Sequence, residues 1–124
     1  MVKDKKYQIV VDEYHGESLF SSRARRELRR TGFNIEPINE AYDMGLLSDA
    51  EVLIIWFTSY SLDNKPQFTA EELSAIHEFL EQGGALFLIG LGWVWKQYEG
   101  KSIDQYPLNL IAEPYGIFFT EARI

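Results

Sequence analysis

Five short apolar runs, each too brief for a helix and each separated from the next by a polar or helix-patterned segment, constrain this chain more than any other feature. They are Tyr7–Val11, Phe33–Ile38, Glu51–Phe57, Ala85–Ile89 and Gly116–Thr120, and their β-branched and aromatic content reads as strands. Between the first two, Leu19, Phe20, Ala24 and Leu28 recur at helical spacing over residues 18–31, with arginines at 23, 25, 26, 29 and 30 and a closing Gly32. Between the third and fourth, Thr69-Ala70-Glu71-Glu72 forms a capping box. Leu73, Ile76, Phe79 and Leu80 then mark one helical face up to Gly83-Gly84. Residues 39–50 form a connecting turn or short helix, 58–67 a long polar loop, and Pro107 opens a short helix over 108–112. Strands alternating with helices fold through right-handed crossovers into a parallel sheet covered on both faces. The expected fold class is therefore α/β, a three-layer sandwich on a mostly parallel five-stranded sheet. Pro37 assigns the second run to an edge, giving an expected order of about 2-1-3-4-5.

With 124 residues, the chain has room for one core, so residues 1–124 are read as a single domain. Asp and Glu outnumber Lys and Arg by 19 to 12, a net charge of −7, which repels nucleic-acid phosphates; a nucleic-acid partner is not expected. No apolar run approaches the ~20 residues of a membrane span, so no membrane partner is expected and a cytoplasmic location is the default. The chain has no cysteine, which removes disulfides, thiolate metal sites and thiol nucleophiles together.

Open parallel sheets bind ligands beyond the carboxyl ends of their strands, where the strand order reverses. Three segments converge there. The first, residues 12–18, packs Asp12, Glu13, His15 and Glu17 ahead of a helix; it reads as a helix-capping loop, as ligand-binding side chains, or as an acid/base or metal site. The second begins at Trp56. The third is Gly90-Leu91-Gly92-Trp93-Val94-Trp95, whose glycines permit a close backbone approach to an anion and whose indoles either stack on a ligand or lid the sheet. The candidate ligand-binding residues are thus Asp12, His15, Glu17, Trp56, Gly90, Gly92, Trp93 and Trp95, with no metal, cofactor or catalytic residue assigned. The helix arginines read as a solvated face, and His77 as packing.

The stretches at 9–17, at 68–72 with 79–90, and at 108–119 resemble the class I glutamine amidotransferase-like superfamily, which is flavodoxin-like. The resemblance is nearest to its non-catalytic branches: ThuA-like domains, intraflagellar-transport and gliding-type domains, and the amidotransferase-like module of M60-like peptidase proteins. It covers nearly the whole chain. Catalytic members carry a cysteine at an elbow after the strand matching 85–89, where this chain has Gly90, and no histidine follows His77. Thiolate glutaminase chemistry has no nucleophile here, and the resemblance implies a non-catalytic domain.

Three functional readings stand. One is a domain binding a small polar ligand, carbohydrate or nucleotide-like, in the crevice. The second is a protein interaction module or homo-oligomer with a vestigial crevice, its exposed sheet edge or apolar patch pairing with another chain. The third is a hydrolase using Asp12, Glu13, His15 or Glu17, with or without a divalent metal.

Overall fold

The computed structural model describes residues 7–17, 20–57 and 65–122. Strands β1 (Tyr7–Asp12), β2 (Phe33–Ile38), β3 (Val52–Phe57) and β4 (Ala85–Gly90) form one sheet in the order β2-β1-β3-β4. Every neighbouring pair is parallel, with Val10 opposite Glu36 and Leu53, and Ile54 opposite Phe87. The sequence-based order holds over these four, and Pro37 lies on the outer strand as its missing N–H requires.

Side-chain alternation along the strands divides the core. Val10, Leu53, Ile55 and Phe57 point to one face, which is covered by α2 (Met44–Leu47), α3 (Ala70–Glu81) and α5 (Pro107–Ala112) through Leu47, Ile76, Phe79, Leu108 and Ile111. Ile9, Val11, Ile35 and Ile54 point to the other, packed by Phe20 and Leu28. That second face carries α1 (Ser22–Arg30) alone among the described residues, and α1 buries none of its side chains fully. Its arginine-rich surface is solvated as expected, apart from Arg25, which pairs with Glu13 at 3.1 Å. The helix is shorter than its periodicity suggests because Ser21 caps it by accepting the Ala24 N–H; residues 18 and 19 lie outside the described ones. The loop expected over 58–67 lies outside them for residues 58–64.

The capping box of α3 is present as read, with Thr69 and Glu72 each accepting the other's backbone N–H. After β4 come α4 (Gly92–Val94), a π-helical turn (Trp95–Glu99), 3₁₀ turns at Ile103–Gln105 and Glu113–Tyr115, and α5 between them, with Pro107 at its start.

The fifth strand does not form. Residues 116–122 carry no strand pairing, and the described residues form a four-stranded sheet. The reason lies in α5: the Asn109 carboxamide accepts the Phe119 N–H and donates to the Phe119 carbonyl at 3.0 Å. The backbone groups that a strand would offer to β4 are thereby taken, and the segment is held on the helix.

Candidate functional site

Asp12 ends β1 and is fully buried. Its Oδ1 accepts the backbone N–H groups of Tyr14 at 2.9 Å and His15 at 2.8 Å, which curls the chain so that the His15 ring returns to Oδ2 at 2.8 Å. The other ring nitrogen, Nε2, lies 2.9 Å from Glu72 Oε2. The Asp12 contact is an aligned hydrogen bond, whereas the Glu72 contact is an ion pair at short distance without hydrogen-bond alignment. Glu72 also accepts the Thr69 N–H at 3.0 Å and the Tyr42 N–H at 3.4 Å.

Both imidazole nitrogens face carboxylate oxygens, so a ring carrying hydrogen on both meets negative charge on each side. Burial works against the charged ring and is the largest single influence on it, but hydrogen bonding and charge from Asp12 and Glu72 together outweigh it and raise the His15 pKa above its ordinary 6.5. The ring is stacked on Phe68 at 3.9 Å and 11° and meets Tyr14 and Tyr42 edge-on. Burial, with the negative charges of Asp12 and Glu72, pushes the Tyr42 hydroxyl pKa upward, keeping it neutral. Asp12 and His15 have no exposed surface. Chemically this cluster is a cross-brace, tying the carboxyl end of β1 to the first turn of α3 and to the chain at Tyr42.

The other expected residues are buried or half-buried. The Glu17 N–H donates to the Trp56 carbonyl at 3.0 Å, and the Glu17 charge helps burial raise the Tyr106 pKa against the opposing Leu91 N–H. Trp56 and Trp93 are half-buried. A side chain at Gly90 would fall on the Tyr106 hydroxyl and the Leu108 methyl, and one at Gly92 on the Thr120 carbonyl. These glycines admit parts of the protein itself into the space read from sequence as an anion cradle. Tyr106 fills the space beside Gly90, donating to the Phe57 carbonyl at 3.2 Å and accepting the Leu91 N–H at 3.1 Å. Trp95 is buried against Tyr106 with its indole N–H on the Ser102 carbonyl at 2.9 Å. The structure therefore joins Asp12 with His15, and Glu17 with Trp56 and the Gly90 plug, but it builds no single open crevice from the eight residues.

What is open beside them is a cleft of about 390 Å³ lined by Gln67, Phe68, Trp95, Lys101, Asp104 and Gln105 among others. No cluster able to hold a metal ion is found among the described residues. Sequence reading missed Glu72 and Tyr106 as partners of the candidate residues. Glu72 carried a usable signal, since the capping box placed its carboxylate at a helix start beyond β3; Tyr106 carried none.

No protein-family model matches the chain. A TRPM8 channel-associated factor homolog from Xenopus laevis is 33% identical over 79 residues, covering 61% of this chain and 8% of that protein. A solved structure, the mmIFT52 N-terminal domain, superposes with a TM-score of 0.62 at 18% identity, covering 90% of this chain and 45% of that one. The second likeness shows the fold and agrees with the intraflagellar-transport branch of the expected resemblance. The chain spans under half of that structure and less than a tenth of that relative. No described helix is long and apolar enough to cross a membrane.

Proposed function

We propose that this chain is a non-catalytic, amidotransferase-like α/β interaction module that docks another polypeptide along β4. The observation that carries this is the outer strip of the molecule. β4 ends the sheet among the described residues; Phe87, 55% exposed, projects from its α1 face, and Ile117 and Phe118, each 60% exposed, follow α5 together with Tyr115 at 47%. An apolar groove of about 480 Å³, lined by Leu80, Leu86, Leu88, Tyr115, Ile117 and Phe119, runs between β4 and the segment that Asn109 holds away. Exposed apolar surface of this extent beside an unpaired strand marks association sites. The Xenopus relative is itself named for association with a channel, which agrees with a docking role.

The test reads sedimentation and uptake of the apolar dye anilinonaphthalene sulfonate together, for wild type and for Phe87→Lys/Phe118→Lys. Wild type is expected to associate or to take up dye, and the folded double variant to do neither. A wild type that does neither, or one whose behaviour the lysines leave unchanged, overturns the reading.

A second reading, binding of a small polar ligand of the carbohydrate or nucleotide class, is favoured by the 390 Å³ cleft, where amide, carboxylate and ammonium groups flank Trp95 and Phe68. Titration with sugars and nucleotides, read by tryptophan fluorescence, should give a saturable change that Lys101→Ala weakens. A flat response in wild type removes this reading. The hydrolase reading gains no support, since Asp12 and His15 meet no solvent.

A further inference from the structure

The hydrogen-bonding direction of β4 sets what its open edge can pair with. Ala85 donates inward to Glu51 and Leu91 inward to Phe57, with β3 in parallel register. Backbone groups alternate along a strand, so Leu86 and Leu88 turn their N–H and C=O groups outward, and no partner takes them among the described residues. The other edge is not available in this way: β2 carries Pro37, without an N–H, next to the charged Glu36.

Resting on the interaction-module reading, we infer that the occupant of this edge is a second copy of the chain, joined β4 to β4 in antiparallel register about a two-fold axis at Phe87. Three observations select a copy. Leu86 and Leu88 both pair, each with the other's counterpart, when Leu86 of one copy lies opposite Leu88 of the other, and that register sets the two Phe87 side chains directly opposite each other. This is a non-hydrogen-bonded position, where side chains approach most closely and where aromatic pairs are favoured. A two-fold interface needs such a self-complementary strip.

The second observation is charge. The chain carries −7, so copies repel over most of their surface, but Ala85–Gly90 and residues 115–120 contain no ionisable group other than Tyr115. The third is area. Phe87 on the α1 side of the edge, and Tyr115, Ile117 and Phe118 after α5 on the other, are each about half exposed, and large side chains of ~150–250 Å² apiece place roughly 400 Å² on the two sides of the edge per copy. With the β4 backbone and the Leu86–Leu88 groove added, this approaches the ~800 Å² per partner of a stable interface. The product is one continuous eight-stranded sheet.

The chain has no native cysteine, so single-cysteine variants report the register cleanly. In Phe87→Cys the two residues lie about 4.5 Å apart between Cα atoms, within disulfide reach. Diamide, which takes up the two thiol hydrogens, should convert this variant to covalent dimer at least tenfold faster than Leu88→Cys, whose counterpart lies two residues away. Sedimentation should show wild-type dimer and Phe87→Lys monomer. Equal cross-linking rates, or faster cross-linking of the Leu88→Cys variant, overturn the register. A wild type that stays monomeric at ~100 µM overturns the copy as occupant; if it also takes up dye in a Phe87-dependent way, the interaction-module reading survives, and if it takes up none, both fall.

Discussion

The carboxyl end of β1 and the outer edge of β4 invert the usual distribution of polar and apolar groups. At the first, an aspartate, a histidine and a glutamate are sealed from water and bonded to one another. At the second, phenylalanine and isoleucine face solvent beside backbone groups that no described residue pairs. Buried titratable groups usually draw attention as sites, and exposed apolar ones as loose packing. Here the first set ties separate parts of the chain together, and the second is the surface to which the proposed docking role is assigned.

The strongest way to break this contrast is His15→Leu, which leaves Asp12 and Glu72 buried without their shared cation. Removing one partner of a buried ionic group costs about 3–5 kcal/mol, and denaturant unfolding should show a loss of that order. A loss below ~1 kcal/mol would mean that the cluster is not structural. Tyr106→Phe comes next. It strips the hydroxyl from the Leu91 N–H and the Phe57 carbonyl, so unfolding should register a loss of about 1–3 kcal/mol.

Titration gives a smaller and reversible effect. His15 has a folded pKa raised above 6.5 by Asp12 and Glu72 in spite of burial, so the folded state binds its proton more tightly than the unfolded one. Its contribution is fully present below about pH 6.5 and disappears as the pH rises through the higher folded value. Stability of wild type minus that of His15→Leu, followed from pH 6 to 9, should therefore decline; a flat or rising difference would break the assignment of an imidazolium brace. Smallest of all, Phe87→Lys should leave stability within about 0.5 kcal/mol of wild type, as befits a side chain that is 55% exposed, while altering association. A large destabilisation would show that β4's outer strip belongs to the core after all.

Four strands, their order and the α3 capping box are legible because each rests on local pattern: β-branched runs, a proline that fits only an edge, and Thr69 three residues before Glu72. Strand five is misread for a reason that local pattern does not contain. Residues 117–119 have strand composition, but Asn109, ten residues earlier than Phe119, satisfies both of its backbone groups. The crevice is misread likewise. Gly90 and Gly92 stand out as points of close approach, and they are, but what approaches is Tyr106 and the Thr120 carbonyl. Composition shows that space is needed without showing who fills it. Asp12 and His15 stand out together, yet their burial depends on Glu72 and Phe68, which arrive from a distant part of the chain.

The plug at Gly90 also bears on how this chain can change. A nucleophile at position 90 needs room that Tyr106 and Leu108 now occupy, so Gly90→Cys alone would collide with the hydroxyl that holds Leu91 and Phe57 in place. Vacating position 106 first removes those two bonds with no activity to show for it. Each single step toward a cysteine at position 90 is downhill in stability, so by one-residue moves this scaffold is separated from a side chain there by a valley on either path.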